Sequence, residues 1–140
     1  MNLPAQPASR HGIVLFAHGA RDPAWATPFE RVRQHLAGTH GQQGPVALAF
    51  LEFMSPSLLE AGRQMVDHHC TQVTVVPLFL GAGGHVRKDL PGLIHQLRQD
   101  YPDVQWQLTA AVGESPLVIA AMSEAALQMA EASTTGRTSH

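Results

Sequence analysis

Short apolar segments alternate with longer amphipathic ones along the chain, and the pattern occurs four times. Four runs of strand length are rich in apolar, β-branched or aromatic residues, as buried strands are: 13–17, 46–53, 73–80 and 104–111. Each run is followed by apolar residues at helical spacing, over about 23–38, 55–69, 85–100 and 116–132. The order predicts an α/β fold with a single doubly wound, four-stranded parallel sheet and helices on both faces.

The ends of the chain differ in composition from this repeating part. Residues 1–11 hold two prolines and small polar residues, and we predict a flexible N-terminal arm there. The α/β domain is predicted over 12–132 and a disordered tail over 133–140. At 140 residues the chain is long enough for one domain with a proper core.

Charge and composition exclude several classes of protein. A net charge of -2 argues against a general nucleic-acid binder, which would be basic. We expect no membrane span, because no segment approaches about 20 apolar residues. The N-terminus lacks a signal-type apolar core and Cys70 is the single cysteine, so we expect a cytoplasmic protein. Charged residues are 14% of the chain, and so few charges predict a surface covered by a second copy, a homodimer.

The third apolar run leads into a glycine-rich loop, Gly81, Ala82, Gly83 and Gly84, and then into His85 at the predicted start of a helix. Small residues allow a ligand to approach the backbone closely. A phosphate-binding P-loop is not indicated, because no Lys-Ser or Lys-Thr pair follows the glycines. The loop is better interpreted as room for a bulky ligand.

Three polar residues lie where three successive predicted strands end: His18, Glu52 and His85. Parallel strands deliver their carboxyl ends to one edge, and a flavodoxin-type order, 2-1-3-4, makes the first and third strands neighbours. Two imidazoles and a carboxylate suit a divalent transition metal, with positions left open for a substrate. Alternatively, each histidine is a hydrogen-bonded structural residue and Glu52 is a solvated one.

Arg21, Arg87 and Lys88 flank the two histidines and form a basic rim that suits a ligand with several carboxylates. The alternative is that they are ordinary solvated charges. The other histidines are predicted to have surface or packing roles, because they lie in arms, loops or on helices: His11, His35, His40, His68, His69, His95 and His140.

With these residues in place, the chain resembles the short form of the sirohydrochlorin cobaltochelatase and ferrochelatase family. The matching segments are LFAHGARDP (15–23), AFLEFMSPSLLE (49–60) and PLFLGAGGHVRKDLP (77–91), and the similarity covers roughly 12–130. One departure is Ala20, where the family often has serine. The lost hydroxyl affects loop hydrogen bonding but removes no ligand.

The resemblance implies ATP-independent insertion of cobalt, iron or nickel into sirohydrochlorin, a carboxylate-rich tetrapyrrole. It implies no permanent cofactor, since the metal is a substrate. His18 and His85 would handle the metal, and Glu52 would be the matching acidic residue. Larger relatives fuse two such halves around a cleft, so a chain of this length is expected to pair with itself.

Two rival functions use the same residues. A metal-binding or metallochaperone module would need His18, Glu52 and His85, but not the glycine loop with its basic rim. A histidine-phosphatase-like enzyme is indicated by His-Gly-Ala-Arg after the first strand. That motif has an arginine directly before the histidine, where this chain has Ala17.

Overall fold

The computed structural model describes residues 9–81 and 83–138, except for the side chains of residues 85, 87 and 135–138. Helices and strands alternate as predicted. In chain order they are β1 (His11–Ala17), a 3-10 helix (Pro23–Ala26), α1 (Thr27–His40), β2 (Val46–Phe50), α2 (Leu58–Asp67), β3 (Gln72–Pro77), α3 (Gly84–Asp100), β4 (Gln105–Leu108), a 3-10 turn (Val112–Glu114) and α4 (Pro116–Thr138).

All four strands form one parallel sheet in the order β2-β1-β3-β4, which confirms the predicted fold class and strand order. β1 lies at the centre, paired with β2 on one side and β3 on the other. Ala17 is level with Phe50, and Phe16 is level with Pro77. The carboxyl ends of three strands therefore meet at one edge, where parallel sheets build their sites.

Each face of the sheet has its own apolar core, because side chains of a strand alternate between faces. On the α2 and α3 face, Phe16, Met65 and Ile94 are among the fully buried residues. On the α1 face, Leu15 and Phe50 pack with residues of α1 and the helical turn before it. The two central strands are thus fixed on both sides, and so are the loops that leave their ends.

Several boundaries differ from the predicted ones. β2 ends at Phe50 rather than 53, and β4 at Leu108 rather than 111. The second helix begins at Leu58 rather than near residue 55, because the Ser57 side chain and the Glu60 carboxylate cap it reciprocally. The described part of the chain includes no helix long and apolar enough to cross a bilayer.

The chain ends also differ from expectation. β1 already begins at His11, the last residue of the predicted arm, and α4 continues to Thr138 instead of ending near 132. Alanine-rich sequence favours this extension, since alanine is the best helix former. The predictions for residues 1–8 and 139–140 lie outside the described residues.

Candidate functional site

His18 and Glu52 lie together at the carboxyl edge of the sheet. Parallel pairing continues past the ends of β1 and β2: Leu51 N donates to Ala17 O at 2.9 Å, and Glu52 N donates to His18 O at 3.1 Å. These bonds hold the two backbones side by side. The side chains meet as well, with His18 Nε2 3.0 Å from Glu52 Oε1.

Gly19 explains how the two loops come so close. Its φ is +93°, a left-handed conformation that glycine adopts without steric cost. A Cβ at this position would collide with the backbone oxygen of Glu52. Residue 19 therefore has to be glycine for the loop after β1 to pass against Glu52.

Phe53 is the site residue that the sequence reasoning missed. Met54 N donates to Glu52 O at 2.8 Å, which closes a γ-turn with Phe53 at its centre and φ at +67°. That sign of φ belongs to the rarer, strained γ-turn, and bulky residues seldom adopt it. The Phe53 side chain is 58% exposed, and the Arg21 guanidinium carbon lies 5.1 Å from the centre of its ring. An exposed aromatic ring under a cation thus stands directly beside the His18–Glu52 pair.

The spacing of the His18–Glu52 pair suits a single metal ion. Two ligand atoms about 2.1 Å from an ion and at a right angle to each other are about 3.0 Å apart. Both side chains are about half exposed, at 50% and 47%. A surface contact of this kind contributes about 0–1 kcal/mol, so a metal ion can displace it at little cost.

Phe79 links this pair to the start of α3. Its ring lies edge-on to that of His18, with 6.5 Å between centroids, and it is buried. Beyond Phe79, a cavity of about 400 Å³ opens between the ends of β3 and β4 and the first turns of α3. Pro77, Val86 and Leu90 line it, and Glu114 is the charged residue among the described ones that do. The carboxyl edge therefore has an apolar recess next to the polar pair.

The other residues predicted for the site are described only in part. His85 is the second residue of α3, but its side chain and that of Arg87 lie outside the described set, as does Ala82 entirely. Arg21 and Lys88 are exposed. Within the described set, no three histidine, cysteine, aspartate or glutamate side chains form a metal-binding group. The third ligand, His85, stays a prediction.

The three glycines of the loop, Gly81, Gly83 and Gly84, are not required by packing against the described residues. A Cβ added at any of them meets nothing within 4 Å. No φ in the range that disfavours side chains occurs at these positions either. Their role as room for a ligand remains a prediction.

His11 and His40 lie at the opposite edge, near the amino ends of the strands. The rings are edge-on at 5.3 Å, His11 Nε2 is 2.7 Å from Thr74 Oγ1, and His40 Nε2 donates to His11 O at 2.6 Å. Desolvation, and then the nearby His40, lower the pKa of His11. This pair supports the predicted packing role for two of the other histidines.

Comparison with known proteins identifies the family of this chain. The CbiX family model matches residues 12–129, which is most of the chain. The chain belongs to the CbiX family. Among curated relatives, the sirohydrochlorin cobaltochelatases of Saccharolobus solfataricus and Methanosarcina acetivorans are 31% and 30% identical over 83 residues. These alignments cover 59% of this chain and 62–63% of the relatives, so about three fifths of their length is matched.

Solved structures show the same fold. A protein of Marinobacter aquaeolei VT8, described as a cobalamin (vitamin B12) biosynthesis CbiX protein, superimposes with a TM-score of 0.74 at 33% identity, covering 86% of this chain and 98% of that one. The sirohydrochlorin chelatase SirB of Bacillus subtilis subspecies spizizenii, solved with cobalt, has a TM-score of 0.64 at 23% identity. Here 76% of this chain aligns with 45% of SirB, a likeness of fold.

Proposed function

We propose that this CbiX chain inserts a divalent metal, cobalt first among cobalt, iron and nickel, into sirohydrochlorin without ATP. The observation that carries the proposal is the 3.0 Å contact between His18 and Glu52 at the edge where the family motifs converge. The names of the curated relatives support the substrate and favour cobalt. The metal is a substrate here, and no permanent cofactor is proposed.

The pair supplies both functions that insertion requires. A divalent ion must be held loosely enough to be released, and imidazole nitrogen with carboxylate oxygen suits cobalt, iron or nickel. Two pyrrole N–H protons must also leave the macrocycle as the metal enters. One group of the pair holds the incoming ion while the other accepts one pyrrole proton, passes it to the solvent that both half-exposed side chains meet, and then accepts the second. We propose that His85 completes the ligand set from the start of α3.

Phe53 and Arg21 form a platform for the macrocycle. The exposed Phe53 ring offers a flat apolar surface, and the Arg21 cation beside it meets substrate carboxylates. Lys88, and Arg87 as predicted from the sequence, extend the positive charge along α3. The strained backbone at Phe53 supports a functional role, because such outliers concentrate at binding and catalytic sites.

We also propose a cytoplasmic homodimer as the working form. The exposed large apolar side chains of this chain support it, since a soluble monomer seldom leaves so many uncovered. Members of this set include Leu80 at 68% and Leu117 at 82% exposure. The chain aligns with 45% of the longer SirB chain, the share expected if larger relatives fuse two such halves.

Absorption spectroscopy tests the proposal. Sirohydrochlorin is mixed with Co²⁺, Fe²⁺ or Ni²⁺ under anaerobic conditions, with and without the chain, and the loss of its metal-free spectrum is followed. We expect the chain to accelerate the change, most strongly with cobalt. Metal binding by the chain with no acceleration for any ion would instead support the metallochaperone alternative.

A further inference from the structure

The recess beyond Phe79, between the ends of β3 and β4 and the first turns of α3, is large enough for part of a ligand. Its volume is about 400 Å³, and Phe79, Val86 and Leu90 are among its apolar walls. An apolar cavity of about 150 Å³ is enough to bind benzene. The recess therefore has room for a pyrrole-sized ring together with its substituents.

Glu114 is held at the side of this recess by the turn in which it lies. Gly113 N donates to Phe79 O at 2.9 Å. A Cβ on Gly113 would collide with the backbone of Leu80, so the turn Val112–Glu114 packs tightly against the chain that leaves β3. Glu114 itself is exposed, and among the described side chains none forms an ion pair with it. The recess thus has a carboxylate whose charge those side chains do not neutralise.

The strand order separates the charges along the carboxyl edge. Arg21 follows β1 and lies over the ring of Phe53, which follows β2. Glu114 follows β4. β2 and β4 are the two edge strands of the sheet, three strand spacings or about 14 Å apart. The edge therefore has a cation on the β2 side and a carboxylate on the β4 side.

A macrocycle that receives its metal at the His18–Glu52 pair extends beyond that pair, because its pyrrole rings surround the position of the metal. The His18 ring is edge-on to the Phe79 ring, with 6.5 Å between centroids, and Phe79 also lines the recess. One edge of the macrocycle can therefore reach the recess across Phe79.

We propose that the recess receives an uncharged edge of the macrocycle and that Glu114 keeps the carboxylate arms out of it. Such an edge is a carbon–hydrogen bridge between two pyrrole rings or an alkyl substituent. Like charges repel where water is partly excluded, so the arms lie on the side of Arg21. This inference rests on the proposed function and makes Glu114 a specificity-determining residue of the same site.

A metal ion is a poorer occupant of the recess. Among the described lining residues, the polar ones are Thr109 and Glu114. The Thr109 hydroxyl donates to Ala110 O at 2.9 Å, and a site for a divalent transition metal usually supplies several protein ligands. Apolar walls with a single carboxylate suit an uncharged group that the carboxylate does not repel.

A matched pair of small ligands tests the recess without metal or sirohydrochlorin. 3-Methylindole and indole-3-acetate share a ring system that contains a pyrrole, and they differ by one carboxylate. Binding is followed by NMR through the methyl signals of Val86 and Leu90, which line the recess. We expect 3-methylindole to bind in the millimolar range usual for ligands of this size, and indole-3-acetate to bind at least about tenfold more weakly.

Two kinds of substitution separate charge from space. Glu114→Gln keeps the shape and removes the charge, and should bring the two dissociation constants within about threefold of each other. Asp103→Asn is the charge control, because Asp103 is exposed in the loop before β4, at the other edge of the sheet. Ala110→Phe fills the recess from an exposed position and should weaken both ligands at least about tenfold. Ala110→Leu is the milder form, and circular dichroism checks that each variant is folded.

The variants are then titrated with sirohydrochlorin in the absence of metal, and binding is followed by its absorption spectrum. Ala110→Phe should raise the dissociation constant for sirohydrochlorin at least about tenfold, and Ala110→Leu should raise it less. Asp103→Asn should bind sirohydrochlorin as the parent does.

Indole-3-acetate that binds the parent as tightly as 3-methylindole refutes the role of Glu114, and so does a ratio of the two constants that Glu114→Gln leaves unchanged. If neither ligand shifts the Val86 and Leu90 signals, or if Ala110→Phe binds sirohydrochlorin as tightly as the parent, the recess does not receive the macrocycle. These titrations contain no metal, so they are independent of insertion. A recess that behaves as proposed in a chain that inserts no metal would contradict the proposed function alone.

Discussion

The His18–Glu52 pair should act as one unit on the metal, and a double-mutant cycle measures whether it does. The perturbations are His18→Ala, Glu52→Gln and both together. General acid–base groups contribute typically about 10²–10⁴-fold, and each tenfold loss corresponds to about 1.36 kcal/mol of transition-state stabilisation. Each single change should therefore lower kcat/KM for metal insertion about 10²–10⁴-fold, which corresponds to a loss of about 2.7–5.4 kcal/mol of transition-state stabilisation.

Stability should change far less than activity. Both side chains are about half exposed, so losing their contact costs about 0–1 kcal/mol. For 140 residues the entropy of unfolding is about 0.3 kcal/mol/K, and Tm should fall by no more than about 3 °C. Glu60→Ala is the converse control: it removes one of the two reciprocal capping bonds of α2 and should lower Tm while insertion continues at the parent rate.

The assay is the initial rate of sirohydrochlorin metallation, with Tm measured on the same samples. Because the two groups lie 3.0 Å apart, the double variant should be no more than about tenfold slower than the slower single variant. Effects that multiply fully would show that the groups act independently. If both single variants keep the kcat/KM of the parent, neither residue takes part in the reaction.

Three further outcomes are expected. Gly19→Ala should destabilise the chain by at least about 1–2 kcal/mol, since φ is +93° and Glu52 O blocks the Cβ, whereas Gly38→Ala in α1 should stabilise it by about 0.5–1 kcal/mol; urea unfolding that ranks them otherwise refutes this. Arg21→Ala should raise KM for sirohydrochlorin about tenfold with little change in kcat, if its contact is equal in ground and transition states; an unchanged KM would leave Arg21 a solvated charge. The lowered pKa of His11 means that the folded state prefers the neutral ring, so stability should fall as the pH drops from above 6.5, the ordinary histidine pKa, through the folded-state pKa. His11→Asn should lose part of that dependence in Tm measured between pH 8 and pH 5.

The fold could be predicted from the sequence because the apolar residues of each helix and strand have the spacing of that element. Alternating apolar runs and helical stripes predicted the four-stranded parallel sheet and the edge where His18 and Glu52 meet. The predicted boundaries of helices and strands were wrong where a local contact decides where the element begins. The second helix was predicted from about residue 55, whereas the reciprocal bonds between Ser57 and Glu60 set the start of α2 at Leu58.

The missed parts of the site depend on backbone geometry and on surfaces that a linear pattern does not show. Phe53 follows Glu52 directly and looked like the last residue of a buried strand. The strand stops at Phe50, and the turn at φ +67° exposes the ring instead. For α4 the helical stripe was predicted as core. Only the three-dimensional arrangement shows that its own chain leaves it uncovered.

The number of turnovers per chain tests directly whether this chain is a catalyst. Sirohydrochlorin and Co²⁺ are supplied in large excess over the chain, and cobalt-sirohydrochlorin formed is counted per chain after subtracting the rate without protein. We expect many products per chain, and a loss of at least about 100-fold in His18→Ala. Product that stops at one equivalent, or that forms no faster than without protein, would contradict catalysis by this chain.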